Sequence, residues 1–293
     1  MAGPLLAVTL PQFSERPGPA LQAAADARRL GFAGAFVFDH LWPLGGPRTR
    51  PTLECWTLLD AVAAATSRRP PEGPRFRVGT LVTRAGLRPP AVVARMAATV
   101  GQVAGAPAVV GVGRGDLANR AENLALGLPF PGPALRSKDL EETVAALRGP
   151  LAGRPAIWVG GVGAGGRGLA GRLADAWNGW ALHPGELAAG LADVRRVAER
   201  AGRDPAAVAG TWAGQVLVAG ERREAEARLA RWGAGRPPAE LARVVAGDPE
   251  TVLARLRELG DAGAAWCVLA PVGGPGAEQR ALLAALAGLT PRG

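Results

Sequence analysis

Apolar residues along the chain form two kinds of segment: short continuous runs, and longer stretches in which they recur every three or four positions. Short runs bounded by glycine or proline predict buried strands, and the spaced stretches predict amphipathic helices. Residues 5–12 are the first apolar run, and Ala20, Ala23, Ala24 and Ala27 then recur at helical spacing before Gly31 ends the helix. The chain is therefore predicted to begin with a strand and a helix.

The same order repeats along the whole sequence. The further predicted strands lie at 35–40, 77–83, 108–113, 156–161, 176–182, a segment anchored at 216–219, and 264–271. The predicted helices after the first lie at 52–67, 89–103, 117–127, 140–147, 168–174, 186–201, 221–232, 249–259 and 278–289. Eight strands that alternate with helices, without a break in composition, predict one α/β domain over residues 1–293, folded as a single (β/α)8 TIM barrel.

Composition narrows the classes of function. No apolar run reaches the ~18 residues of a membrane span, and the N-terminus lacks the basic region of a signal peptide, so we expect a cytoplasmic protein without a membrane partner. The formal charge of +9 is mostly arginine spread along the chain, which does not favour nucleic-acid binding. Cys55 and Cys267 lack neighbours at metal-ligand spacing, so no metal site is expected.

Polar side chains follow several of the predicted strands. They are Asp39 and His40 after the second, Thr83 and Arg84 after the third, Arg114 and Asp116 after the fourth, and His183 after the sixth. Taken alone, Asp39 is a turn cap and His40 an ordinary loop histidine. In a parallel barrel, however, the carboxyl ends of all strands meet at one mouth, where active sites lie. The predicted fold therefore makes these residues candidates for one site.

A glycine-rich run at 160–168 separates the fifth strand from the next helix. Its backbone N–H groups and the helix N-terminus are unobstructed by side chains, which suits a phosphate. The spacing G-x-G-x-x-G occurs from Gly161 to Gly166, but it follows the fifth strand and not the first βα unit, where a dinucleotide fold has it. A plain flexible turn is the alternative interpretation.

Short motifs through nearly the whole chain resemble those of the bacterial luciferase-like flavin and deazaflavin oxidoreductases. They are Phe-Asp-His at 38–40, Glu-Cys-Trp-Thr at 54–57 continuing to Ala-Ala-Thr-Ser at 64–67, Val-Gly-Thr-Leu-Val-Thr at 78–83, Gly-Val-Gly-Arg-Gly-Asp at 111–116, Ala-Leu-Gly-Leu-Pro-Phe at 125–130, Ile-Trp-Val-Gly-Gly at 157–161 and Ala-Asp-Ala-Trp-Asn at 174–178. Members that use the deazaflavin coenzyme F-420 are most similar around residues 39–40 and the third strand.

This resemblance implies a barrel that holds a deazaflavin or flavin ring in its mouth. It implies a cis peptide bond between Leu81 and Val82 beside the ring, and a cofactor phosphate on the glycine turn. The positions that it assigns to cofactor binding are Asp39, Thr80, Leu81, Val82, Gly160, Gly161 and Val162.

The resemblance also implies hydride transfer between the ring and a substrate, with a side chain that handles the accompanying proton. His40 is the first candidate, since an imidazole titrates near neutrality. Asp116 matches a position where some members carry an acidic proton donor, and its alternative role is to cap the helix that begins at Leu117. Glu54 is expected to orient its neighbours and not to be catalytic.

The chain departs from many relatives between Leu147 and Ile157, where they insert a hairpin that covers the mouth. The shortened lid insertion before strand five predicts a more open site. Oxygen-activating chemistry, by contrast, requires a site that excludes water.

The leading hypothesis is an oxidoreductase that transfers a hydride between coenzyme F-420 and a small organic substrate. The polyanionic tail of this coenzyme suits the arginines predicted near the mouth, which are Arg48, Arg50, Arg84, Arg88 and Arg114. An FMN-dependent monooxygenase and a flavin-binding barrel without turnover are the alternatives, and a nicotinamide enzyme ranks last. Relatives are commonly dimers through helices two and three, which predicts a homodimer with Trp56, Val92 and Met96 in its interface or in the core.

Overall fold

The structure is a computed structural model that describes residues 3–43, 48–67, 75–272 and 277–289. Its strands are β1 (Leu5–Thr9), β2 (Gly34–Val37), β3 (Arg77–Arg84), β4 (Val109–Gly113), β5 (Ala156–Gly160), β6 (Ala176–Trp180), β7 (Ala209–Val218), β8 (Val245–Gly247) and β9 (Ala264–Pro271). Its helices are α1 (Gly18–Arg29), α2 (Cys55–Thr66), α3 (Pro90–Ala104), α4 (Asn119–Ala125), α5 (Pro133–Arg148), α6 (Ala164–Leu173), α7 (Pro184–Arg200), α8 (Arg222–Trp232), α9 (Pro238–Leu241), α10 (Pro249–Asp261) and α11 (Ala277–Leu289).

The strands form one parallel sheet that closes on itself. Strands β1 to β6 follow one another around the sheet, β7 pairs with both β6 and β9, and β9 pairs with β1. These pairings make a barrel of eight strands, with β8 added beside residues 216–218 of β7. The predicted (β/α)8 barrel is thus confirmed, and the carboxyl ends of its strands share one mouth.

Several element bounds differ from the sequence prediction. β7 begins at Ala209, seven residues before the predicted anchor, because small and polar residues such as Gly210 and Thr211 interrupt its apolar pattern. Glycine is required at 210, since a Cβ there would lie 2.7 Å from the Gly263 carbonyl oxygen. The three-residue strand β8 is too short to give a pattern. α6 begins at Ala164 and not at 168, because the glycines of its first turn conceal the helical periodicity.

Aromatic rings fill the interior of the barrel below its mouth. Phe36 stacks on Trp158 with ring centroids 5.2 Å apart, and Trp266 meets Trp158 edge-on at 5.6 Å. A second and larger core of Val, Leu and Ala lies between the barrel and the helices. Since side chains occupy the barrel interior, space for a ligand is confined to the mouth.

The connection before the fifth strand is short, as the sequence predicts. α5 ends at Arg148, β5 begins at Ala156, and a single 3₁₀ turn (Pro150–Ala152) joins them. No hairpin covers the mouth at this point. Among the described residues, no helix has the length and apolarity to span a bilayer.

Candidate active site

A cavity of about 1460 Å³ opens at the carboxyl ends of the strands. Of the residues predicted at the mouth, those that line it are His40, Arg50, Leu81, Val82, Arg84, Arg114, Asp116, Gly160, Gly161 and Val162. The barrel therefore brings together residues that lie as far apart in sequence as β2 and β5. Two of the predicted cofactor residues, Asp39 and Thr80, are buried and do not line the cavity.

Asp39 lies behind the cavity wall, where it holds the end of β3 in place. It is only 1% exposed, and its carboxylate accepts hydrogen bonds from Thr83 Oγ1 at 2.7 Å and from the Arg84 backbone N–H at 3.0 Å. Both terminal nitrogens of Arg88 also donate to it, at 2.7 and 3.1 Å. Thr80 is similarly engaged, since its hydroxyl donates to the Gly111 carbonyl. Cofactor binding by Asp39 and Thr80 stays a prediction.

Arg88 extends this network to the start of α2. Its Nη2 lies 2.6 Å from Glu54 Oε1, and the Glu54 carboxylate also accepts from the backbone N–H groups of Trp56 and Thr57 as the N-cap of α2. Burial alone raises the pKa of Glu54, but these N–H donors and the charge of Arg88 bring it below the ordinary value. The contacts fit the orienting role expected for Glu54. Trp56 is a core residue whose Nε1 donates to Thr83 Oγ1 at 3.1 Å.

His40 contacts a buried carboxylate that the sequence prediction did not include. Its Nδ1 lies 3.4 Å from Oε2 of Glu122, a residue of α4. The other oxygen of Glu122 accepts hydrogen bonds from the backbone N–H groups of Leu41 and Trp42 and forms a 3.2 Å ion pair with Arg84 Nη2. Glu122 therefore joins α4 to the loop after β2.

The charge state of Glu122 decides how His40 can act. Burial alone raises the pKa of Glu122, but the hydrogen bond from His40, the charge of Arg84 and the Leu41 N–H together lower it below the ordinary value. An ionised carboxylate only accepts hydrogen bonds, so Nδ1 of His40 carries the proton. In the neutral ring the lone pair is then on Nε2, which has no hydrogen-bond partner among the described residues. The His40 side chain is 23% exposed and lines the cavity, so this nitrogen is available to a ligand.

The peptide bond between Leu81 and Val82 is cis, as the resemblance implied. The pairing of β3 with β4 shifts register between Thr80 and Thr83, so this part of β3 bulges. Glycines on β4 make room for the Val82 side chain: a Cβ would lie 2.8 Å from it at Gly111 and 2.6 Å from it at Gly113. The two glycines of the Gly-Val-Gly motif are therefore explained by the bulge.

The glycine turn after β5 also lines the cavity. Gly161 has a φ of +128°, which favours glycine, and Gly163 is the N-cap of α6. No side chain caps α6 and its first turn contains no acidic residue. Gly166 packs against the turn, since a Cβ there would lie 2.9 Å from the Gly161 carbonyl oxygen. The turn and the positive end of the helix dipole suit an anion.

Residues 5–243 match the model of the luciferase-like monooxygenase family. The chain belongs to this family, which consists of oxidoreductase enzymes. The sequence motifs predicted a cis bond and a glycine turn for this luciferase-like protein, and its structure contains both.

The curated relatives include a ketoreductase and a dehydrogenase. Phthiodiolone/phenolphthiodiolone dimycocerosates ketoreductase of Mycobacterium kansasii is 30% identical over 208 residues, which is 62% of this chain and 54% of the relative. F-420-dependent glucose-6-phosphate dehydrogenase of Beutenbergia cavernae is 36% identical over 138 residues, 46% of this chain and 35% of the relative. The luciferase-like chain spans about half the length of the curated relatives it matches.

Solved structures with the same fold include a dehydrogenase and a monooxygenase. An F-420-dependent secondary alcohol dehydrogenase, solved with an F-420–acetone adduct, superposes with a TM-score of 0.75 at 21% identity and covers 92% of this chain and 94% of its own. EDTA monooxygenase of a Chelativorans species has a TM-score of 0.76 at 16% identity, and the match covers 98% of this chain and 93% of the monooxygenase chain. At these identities the similarity shows a shared fold.

Asp116 of the luciferase-like chain lies at the cavity, in the turn that precedes α4. It lines the cavity, as a proton donor must. Its Oδ1 also accepts from the Ala118 N–H at 2.9 Å, and its own N–H donates to Asn119 Oδ1, both in the turn that leads into α4. α4 begins at Asn119 with Ala118 as its N-cap and has no side-chain cap, so the prediction that Asp116 caps a helix beginning at Leu117 is wrong, and Asp116 stabilises the turn before the helix. Catalysis by Asp116 stays a prediction.

His183 and Arg48 do not line the cavity. His183 is the N-cap of α7, and its Nδ1 lies 3.2 Å from Arg255 Nη2. It does not line the cavity, so the structure does not bring it together with the other predicted site residues. Arg48 stacks over the Trp42 ring at 4.5 Å.

The sequence around Glu122 contains a signal that apolar periodicity does not detect. α4 buries Asn119, Glu122 and Asn123, which follow the i, i+3, i+4 spacing normally used by apolar residues, and it exposes Leu124. A helix with its polar residues at core spacing indicates that this face meets other polar groups. Here those groups are His40 and Arg84, whose Nη1 donates to Asn123 Oδ1 at 2.8 Å.

Proposed function

We propose that this luciferase-like protein transfers a hydride between coenzyme F-420 and a small organic substrate at the mouth of its barrel. The observation that carries the proposal is the pairing of His40 Nδ1 with the buried carboxylate of Glu122, in the same cavity as an anion-binding glycine turn. The pairing supplies a group for the proton, and the turn supplies a site for the cofactor phosphate.

The residues of the cavity fit this coenzyme. The glycine turn offers backbone N–H groups at the start of α6, and Arg114, Arg136 and Arg172 also line the cavity. Arg172 forms an ion pair with Glu141 there. A phosphate and a polyanionic tail are favoured by such a set of donors and cations. The bulge at Leu81 and Val82 lies between the glycine turn and His40 and offers an apolar surface to a ring. When bound, coenzyme F-420 supplies a ring carbon that accepts or donates a hydride.

His40 handles the proton that accompanies the hydride. Its Nε2 takes the hydroxyl proton when an alcohol is oxidised, and it returns that proton to the carbonyl oxygen when a ketone is reduced. Glu122 stabilises the imidazolium that forms and keeps the ring in the tautomer that leaves Nε2 free. Arg84 and the two backbone N–H groups keep Glu122 ionised between turnovers.

The names of the curated relatives support oxidation and reduction of this kind. A ketoreductase reduces a carbonyl group and an F-420-dependent dehydrogenase oxidises a hydroxyl group, so both interconvert the same pair of functional groups. The homodimer remains part of the proposal. Val92, on α3, is 46% exposed and is available to a second copy of the chain.

An FMN-dependent monooxygenase is the second candidate. The glycine turn would hold the single phosphate of FMN as well as that of F-420. Within the described part of the chain, the short connection between α5 and β5 adds no cover over the cavity, and oxygen activation needs a site that excludes water. Binding of either cofactor without turnover is the remaining alternative.

A fluorescence titration tests the proposal. The purified protein is titrated with oxidised coenzyme F-420 and, at the same ionic strength, with FMN. Saturable binding of F-420 with weak FMN binding is expected, followed by bleaching of the bound deazaflavin when an alcohol is added. Preference for FMN with oxygen consumption would move the assignment to a monooxygenase, and binding without bleaching by any alcohol would leave a binding protein.

A further inference from the structure

Two aromatic side chains meet across the mouth of the barrel. Phe38 follows β2 and Trp180 ends β6, strands that lie opposite each other in the ring of eight. Their ring centroids are 5.9 Å apart in an edge-to-face arrangement, and Phe13 stacks on Phe38 at 6.5 Å with nearly parallel planes. We call Phe13, Phe38 and Trp180 the aromatic platform. All three residues line the cavity, and Trp180 is 40% exposed.

The platform is held in place by a buried amide. Gln12 is fully buried, and its Oε1 accepts from the Phe38 N–H at 2.6 Å while its Nε2 donates to the Phe38 carbonyl at 2.8 Å. One side chain thus satisfies both backbone groups of Phe38, in the way a neighbouring strand would. The backbone of Phe38 is therefore held in place at the mouth, where its ring lines the cavity.

The platform and the cationic side of the cavity belong to different strands. Arg114, Arg136 and Arg172 come from the segments after β4 and β5, next to the glycine turn. The platform comes from the segments after β1 and β2, with Trp180 reaching across from β6. Arg50 borders it, with Nε bonded to the Phe13 carbonyl. An anionic cofactor is favoured on the first side, so exposed aromatic surface remains for a second ligand.

We propose that the aromatic platform binds an apolar part of the substrate. The inference rests on the proposed function and names its substrate class: an alcohol or ketone that carries a hydrocarbon chain or an aryl group. His40 follows Phe38 by two residues and lines the same cavity. The carbon–oxygen group of such a substrate therefore meets His40 when its apolar part covers Phe38 and Trp180.

The test measures how affinity depends on chain length. The protein is first saturated with F-420, and the Kd of methyl ketones from butanone to decanone is then measured by calorimetry. Burial of each added methylene on the platform is expected to tighten binding by about threefold until the rings are covered. In Trp180→Ala this dependence is expected to fall by about half or more, because the exposed ring is lost. Trp180→Phe is expected to restore most of it.

A matched control uses another tryptophan of the cavity. Trp232, the last residue of α8, also lines the cavity. The Arg236 guanidinium lies over its ring, 3.9 Å from the centroid. Trp232→Ala removes the same side chain away from the platform and is expected to keep the chain-length dependence of the parent. Melting temperatures of the variants show that they fold, and Trp180→Leu replaces any variant that does not.

The outcomes separate the two proposals. If F-420 binds but the ketone Kd is independent of chain length, or if Trp180→Ala and Trp232→Ala behave alike, the platform is not the substrate site. If F-420 does not bind but the ketones still show the chain-length dependence that Trp180→Ala reduces, the platform stands and the deazaflavin assignment fails.

Discussion

The Nδ1 atom of His40 and the Oε2 atom of Glu122 lie 3.4 Å apart, although the residues are 82 positions apart in the sequence. The contact pairs an imidazole that lines the cavity with a carboxylate that is buried behind it. Such a pair fixes the tautomer of the ring. It is the basis of the first prediction.

Loss of the imidazole and loss of its partner are expected to slow turnover to different degrees. His40→Ala removes the group that moves the proton and is expected to lower kcat by about 10²–10⁴-fold. Glu122→Gln keeps the shape of the partner but removes its charge, with an expected loss of about 10–100-fold. Steady-state rates of F-420 reduction give both values.

Binding separates this role from a general loss of structure. Both variants are expected to keep the parent Kd for F-420, and Glu142→Gln, an exposed carboxylate on α5, is expected to keep the parent rate. Unchanged turnover in His40→Ala would rule out proton transfer by this residue.

The glycine turn gives a prediction with a control in the same helix. A Cβ at Gly166 would lie 2.9 Å from the Gly161 carbonyl oxygen and 3.3 Å from that of Gly160, so Gly166→Ala must displace the turn. The Kd for F-420 is expected to rise by about tenfold, equivalent to ~1.4 kcal/mol. A Cβ at Gly168 meets nothing within 4 Å, so Gly168→Ala is expected to bind normally. Equal Kd values for the two variants would show that the turn does not hold the cofactor.

The packing of Val82 against β4 predicts a rescue. Gly113→Ala would place a Cβ 2.6 Å from Val82 Cγ2, and the expected loss is about 1–3 kcal/mol in the free energy of unfolding. Truncation to Val82→Ala leaves its Cβ at 3.8 Å, an ordinary contact. The double variant should therefore be more stable than Gly113→Ala alone, as measured by urea denaturation. Additive losses would contradict this explanation of the glycine.

Removal of Arg88 is expected to leave a buried charge without its cationic partner. Asp39 is 1% exposed and takes two hydrogen bonds from Arg88, so Arg88→Met is expected to cost about 3–5 kcal/mol of unfolding free energy. Adding Asp39→Asn removes the charge and should return part of that loss. The exposed pair of Arg222 with Glu226 is the control, because Arg222→Met is expected to cost no more than ~1 kcal/mol. Similar losses at both arginines in urea denaturation would contradict the prediction.

Glu186 predicts a dependence of stability on pH. Hydrogen bonds from Arg243 and from the His183 N–H lower its pKa to about 2 from an ordinary value of 4.5. A carboxyl group with a lowered pKa in the folded state stabilises it above the ordinary pKa, and this contribution is lost as the pH falls toward the folded value. Glu186→Gln is therefore expected to be less stable than the parent at pH 7, with a difference that shrinks as the pH falls from 4.5 to 2. Urea denaturation across this range measures it, and a constant difference would contradict it.

Much of the fold could be predicted from the sequence. The alternation of apolar runs with amphipathic stretches identified the barrel, because each strand and helix must bury its apolar face. The motifs predicted the cis bond at Leu81 and Val82, and they placed His40 and the glycine turn at strand ends. The predicted bounds of β7 and α6 were less accurate, because glycine and other small residues in these elements give no periodic apolar pattern.

The sequence by itself determined the alternation of strands and helices that makes the barrel, because this alternation depends on neighbours within a few positions. Only the tertiary structure decided that Glu122 meets His40 and that Phe38 meets Trp180. These contacts form when β6 closes the barrel through β7 and when α4 turns its polar face inward. Local periodicity reports that a side chain is buried, but its partner across the barrel is set by closure of the sheet.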